Sequence, residues 1–94
     1  MDKKVVYVMP PSPCYGTRVV NYDADNQELN RFLGMFHIWG RCSGERKTSS
    51  DRIGGEEVWF EMDGSFYDTI QTRPFLLALE RFGVRLTTEY PFKN

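Results

Sequence analysis

Residues 25–40, Asp25 to Gly40, read DNQELNRFLGMFHIWG, and whether they form one helix or a helix followed by a strand decides the fold. At about 100° per residue, Leu29, Phe32, Leu33, Met35, Phe36 and Trp39 fall on one arc. Asn26, Gln27, Asn30, Arg31, Gly34 and His37 fall on the other. Asp25 and Glu28 stand at capping-box spacing, and Gly40 suits the residue that leaves a helix in a left-handed conformation. This reading gives one helix over 25–40, with an apolar arc broad enough to cover a sheet. The competing reading ends the helix at Gly34, where glycine costs about 1 kcal/mol relative to Ala, and starts a strand running from Met35 to Cys42.

Outward from this stretch the remaining elements take shape. Upstream, Lys4–Met9 (KVVYVM) and Thr17–Tyr22 (TRVVNY) are β-branched and read as two antiparallel strands. Pro10–Gly16 between them is a stiff connection, because each proline fixes φ and removes a donor. Its Pro10 and Pro13 match the PxxP spacing of SH3 ligands, a weak pattern that the loop reading already explains.

Downstream, residues 40–55 (GRCSGERKTSSDRIGG) read as a long mobile loop. They carry Arg41, Arg46, Lys47 and Arg52 against Glu45 and Asp51. The spacing of Gly40, Gly44, Lys47 and Thr48 does not make a phosphate loop. Glu56–Gln71 then reads as an acidic hairpin, EEVWFEM and SFYDTIQ turning at Asp63-Gly64. Val58, Phe60 and Met62 share one face of its first strand; Glu57, Trp59 and Glu61 share the other. Thr72–Gly83 is a second helix with Thr72 as cap and Phe75, Leu76, Leu79 and Phe82 as its core stripe. Val84–Glu89 is a last strand. The resulting order is β-β-α-β-β-α-β, an α+β class with an antiparallel or mixed sheet and two helices on one face.

Ninety-four residues make a single domain spanning 1–94 with a modest core. The net charge of -1 disfavours both a nucleic-acid binder relying on bulk positive charge and an acidic DNA mimic. No signal-peptide pattern and no membrane-length apolar run is present, which points to the cytoplasm with Cys14 and Cys42 reduced.

No constellation of catalytic specificity emerges, so the chain reads as non-enzymatic, with no catalytic residues, no cofactor and no metal. His37 could serve as a base toward Cys42, but it also fits a solvent-facing position near a helix end. Asp23, Asp25 and Glu28 lack the glycine and distal glutamate of a calcium loop. Aromatic residues make up 15% of the chain, more than so small a core absorbs, and this favours a partner surface.

The reading is therefore a protein-binding module, an inhibitor or adaptor of a larger protein. In size and composition alone it resembles the small antagonists that phages direct at host machinery. Its expected partner-binding residues are Trp59, Glu57 and Glu61 on the hairpin, with Arg46, Lys47 and Arg52 on the basic loop. The alternative is binding of nucleic acid or a phosphorylated ligand through loop 40–55, in a monomer or a homo-oligomer. No membrane partner is expected.

Overall fold

The computed structural model describes residues 3–13, 16–37, 45–48 and 56–92. The elements are β1 (Val5–Val8), β2 (Thr17–Asn21), α1 (Gln27–Gly34), β3 (Glu45–Thr48), β4 (Glu56–Met62), α2 (Phe66–Thr69), α3 (Arg73–Arg81) and β5 (Arg85–Thr87). The strands form a mixed five-stranded sheet in the order β3-β4-β2-β1-β5, antiparallel except for the parallel pair β1–β5. The α+β class stands.

Apolar side chains cover both faces of the sheet. Val6, Val8, Val19, Val58, Phe60 and Met62 face the helices and pack with Leu29, Leu33, Phe66, Ile70 and Leu79. Val5, Val20 and Tyr22 face the other way and are covered by Phe92 and the half-buried Tyr90. This is why β1 and β2 read as nearly continuous apolar runs: both are interior strands buried on two sides. The second layer is the aromatic C-terminal segment, where the Phe92 ring meets Tyr22 edge-on at 4.7 Å. Among the described residues no helix is long and apolar enough to cross a membrane.

Helix α1 is shorter than the 25–40 span expected for it. Its N-cap is Asn26 rather than Asp25, and the Asn26 side chain accepts from the Leu29 amide. After Gly34 the chain tightens into i→i−3 bonds from Met35, Phe36 and His37, and His37 then forms an antiparallel bridge with Met62. Beyond this point the apolar arc is kept by Phe36, whose ring packs on Phe32, Phe66 and Phe75, and broken by Met35, which is 75% exposed. Ile38, Trp39 and Gly40 lie outside the described residues. Gly34 takes no positive φ, and a Cβ there would meet only Phe60 Cε1, at an ordinary 3.7 Å. Neither backbone nor packing therefore requires glycine at this position.

The hairpin expected across Asp63-Gly64 is also corrected. β4 pairs instead with β3, in the register Glu45↔Trp59 to Thr48↔Glu56, and the chain after Asp63 turns into α2. The basic segment expected to be a loop thus contributes an edge strand at Glu45–Thr48, and its other residues lie outside the described ones. The physical reason is local. Asp63 Oδ1 accepts from the Ser65 amide at 3.0 Å and its hydroxyl at 2.8 Å, while the Asp63 carbonyl accepts from the Phe66 amide at 2.9 Å. This closes an Asx turn that starts a helix. Phe66 and Ile70, both buried, stand four residues apart, a spacing that puts them on one side of a strand or of a helix alike. Asp68 decides between the two: it would share their strand face, whereas the helix leaves it exposed.

The Asp63 carboxyl is held below its ordinary value of 3.8, first by the Ser65 amide and then by the Ser65 hydroxyl. A depressed acid stabilises the fold above its unfolded pKa, and that contribution is lost as pH falls through the lowered folded value. Asp63→Asn keeps the acceptor and removes the titration. Its melting temperature is expected to fall less than the wild type's between about pH 5 and about pH 2, as followed by circular dichroism.

Helix α3 follows expectation at its ends. Thr72 occupies the N-cap position, although its hydroxyl donates to the Thr69 carbonyl rather than capping α3. Gly83 leaves the helix at φ +81°. Leu76, expected in the core stripe, is 42% exposed, and the burial falls on Leu79 with Phe75 and Phe82 half-buried. Phe32, Phe36, Phe66, Phe75 and Phe82 join the three helices through ring contacts at 5.1–5.8 Å.

Candidate functional site

The face of the sheet away from the helices presents the sequence-predicted tryptophan. Alternation along β4 sends Val58 and Phe60 to the helix side and Trp59 to the other. Trp59 lies directly across from Val20 and packs half-buried against the Val5, Val20, Tyr22 and Phe92 cluster. Two pairs further along, on the same face, Arg18 stands opposite Glu61 in register. The Arg18 guanidinium stands 5.7 Å from the Trp59 ring centre, and its Nε is 3.8 Å from Glu61 Oε1. The Arg18 side chain keeps 35% of its surface exposed, against 12% for Glu61. Tyr7, Met9 and Tyr90, all half-buried, complete the same face. The Tyr7 and Tyr90 rings meet at 6.1 Å.

The other expected residues are distributed differently. Glu57 is 4% exposed, so it is not part of a solvent-facing acidic rim around Trp59. Arg46 and Lys47 belong to β3, opposite Val58 and Glu57 in the register, which places them on a paired edge strand. Arg52 lies outside the described residues, as do Cys14 and Cys42, so the Cys–His pairing falls there too. Trp59 and Glu61 come together with Arg18; the basic positions do not join them. Sequence reasoning missed Arg18, Tyr7, Met9 and Tyr90. One signal was present: in TRVVNY, Arg18 alternates onto the same side as Val20 and Tyr22, a charge on an otherwise apolar strand face.

Family models, curated proteins and solved structures give no match to this chain.

On the helix side a second feature stands beside α1. Gln27, Asn30, Arg31 and Gly34 of α1, with His37 just after it, line an open groove of about 450 Å³ together with Val58 and Phe60 of β4. Ala24 and Asp25 also line it. Asn30 is committed elsewhere: its Nδ2 donates to the Ala24 carbonyl and its Oδ1 accepts from Asn21 Nδ2. The His37 ring meets the Gly34 carbonyl through Nδ1. No group of three or more His, Cys, Asp or Glu among the described residues is arranged to hold a metal ion.

Proposed function

We propose that this chain is a non-enzymatic protein-binding module that acts as an inhibitor or adaptor by covering a surface of a larger protein in the cytoplasm. The observation that supports this reading best is the sheet face opposite the described helices. A half-buried Trp59 stands there beneath a partly exposed arginine, flanked by Glu61 and the half-buried Tyr7, Met9 and Tyr90. Tryptophan, tyrosine and arginine are the residue types that carry most interface energy, because they combine large apolar area with a fixed polar group. The ring is held by the sheet below it and by Arg18 above it, so little side-chain freedom remains to be lost on docking.

The test is a native pull-down from the source cell's lysate, with and without nuclease, followed by titration of the recovered partner. Trp59→Ala is expected to weaken that complex by about 2 kcal/mol or more, roughly thirtyfold. Far-ultraviolet circular dichroism must show the variant still folded at the assay temperature, because Trp59 also packs on the Val20 cluster. Arg18→Glu, a change at a partly exposed position, is expected to weaken the same complex. An unchanged affinity in both variants removes this face from the function. Recovery of nucleic acid alone would move the function to the basic positions Arg46, Lys47 and Arg52 instead.

A further inference from the structure

The edge of the molecule formed by α3 and β5 takes no part in the docking face around Trp59. β5 is an outer strand of the sheet, paired on one side with β1. Its Arg85 amide donates to the Lys4 carbonyl, and successive residues of a strand turn their backbone groups to opposite sides. Leu86 therefore directs its N–H and C=O away from β1, where no described strand meets them. Beyond Thr87 the chain bends, with the Thr87 hydroxyl donating to the Glu89 carbonyl and accepting from the Glu89 amide. Strand addition at this edge is thus confined to Arg85–Thr87 and centres on Leu86.

Helix α3 supplies an independent observation. Arg73, Leu76, Leu77 and Glu80 lie within an arc of about 100° on its surface. Leu76 and Leu77 are 42% and 45% exposed, and Arg73 and Glu80 are exposed as well. Neither Arg73 nor Glu80 makes an ion pair among the described residues. Arg73 stands three residues before Leu76, and Glu80 three after Leu77. Such a stripe is its own complement when reversed. Against an antiparallel copy, each Arg73 comes to a Glu80 and the leucines come to one another. The two patterns also share a centre: Leu76, in the middle of the helix stripe, and Leu86, in the middle of the strand, line one groove with Thr87 and Glu89.

We propose that this chain pairs with a second copy of itself across the α3–β5 edge, about a twofold axis between the two Leu86 residues. The β5 strands run antiparallel, and the two Leu86 residues exchange both N–H···O bonds. Leu86 projects to the helix side, so each Leu86 side chain enters the other copy's groove between Leu76 and Leu86. The α3 helices lie antiparallel across the same axis, with Arg73 toward Glu80 of the second copy. A strand of three residues and a helix of nine make a small interface, so the pair is weak, with a dissociation constant of about 10–100 µM.

The experiment is sedimentation equilibrium of the full chain between about 5 µM and about 1 mM, which is expected to show a mass rising from one chain toward two. Raising the salt from about 0.05 to about 0.5 M should weaken the association several-fold. Arg73→Glu and Glu80→Arg, both at exposed positions, are each expected to weaken it about tenfold, because like charges then face each other. Mixed in equal amounts the two variants should associate again, since one presents only acids at these positions and the other only bases. Hydrogen exchange of the Leu86 amide should slow at the higher concentration. A mass of one chain throughout leaves this edge to a strand of another protein and overturns the proposal. So does association that Arg73→Glu leaves unchanged, or a Leu86 amide that exchanges equally fast at both concentrations.

Discussion

Gly16→Ala is expected to destabilise the fold by about 3 kcal/mol or more, which for a chain of this size lowers the melting midpoint by roughly 15 °C. A Cβ at residue 16 would overlap the Met62 carbonyl oxygen and stand 3.0 Å from the Gly64 amide nitrogen and 3.1 Å from the Met62 carbonyl carbon. All three are backbone atoms, so no rotamer change relieves the overlap. The strand after Gly16 begins at Thr17, which pairs with Met62, so relief requires β2 and β4 to part at the start of their ladder. That ladder joins β3–β4 to the rest of the sheet. Gly83→Ala is the matched control. Gly83 has a positive φ of 81° and nothing within 4 Å of an added methyl, so its cost is conformational strain alone, about 1 kcal/mol. Urea denaturation of both variants separates the two effects. A Gly16→Ala midpoint equal to that of Gly83→Ala would mean that the β2–β4 approach is looser than described.

Asn21→Leu is expected to cost about 3 kcal/mol despite its similar shape and greater hydrophobicity. Asn21 is fully buried at the end of β2. Its Nδ2 donates to the Asp23 carbonyl at 3.0 Å and to Asn30 Oδ1 at 2.7 Å, and its Oδ1 accepts from the Asp23 amide at 2.9 Å. Leucine strands all three partners. Two further asparagines extend the network: Asn30 reaches the Ala24 carbonyl, and Asn26 Nδ2 reaches both Asp23 Oδ2 and the Phe82 carbonyl at the end of α3. The turn into α1 is therefore held to β2 and to α3 by amide side chains. Asn21→Asp sharpens the test. Its second oxygen would face two acceptors, which raises the folded-state pKa of the new carboxyl. A raised acid is tolerated while protonated, so this variant is expected to lose stability as pH rises through that folded value. A pH series of thermal melts reads this directly, and a flat profile would contradict the hydrogen-bond assignment.

These two positions also mark how far the sequence reaches. The strand character of β1 and β2, the helical character of α1 and α3, and the glycine stop at Gly83 were legible, because each depends on side-chain periodicity and backbone preference within a few residues. The alternation that separates Val58 and Phe60 from Trp59 was legible for the same reason. Asn21, Asn26 and Asn30 looked like ordinary polar residues, because the Phe82 carbonyl that one of them satisfies lies 56 residues away. Gly16 looked like a loop glycine, because the Met62 carbonyl that excludes a side chain belongs to another strand.

Of the candidate docking face, Trp59 and Glu61 could be picked out from sequence, whereas the arginine above the ring could not. Arg18 comes to Trp59 only through the pairing of β2 with β4. Glu57 alternates with Trp59 as expected, yet it is buried, and alternation reports which side of a strand a residue takes without reporting what covers that side. Asp63-Gly64 shows the same limit locally. An Asp-Gly pair supports a hairpin turn or a helix start, and here the carboxylate bonds to Ser65 and the chain turns into α2.

The sequence by itself determined the α+β class, the faces of β4 and the ends of α3, all set by interactions between near neighbours in the chain. The tertiary structure alone decided that β4 pairs with β3 and β2, that the C-terminal aromatics cover the second sheet face, and that Arg18 meets Trp59. Those are contacts between distant segments, selected by which arrangement buries the most apolar surface while leaving every backbone and amide group a partner.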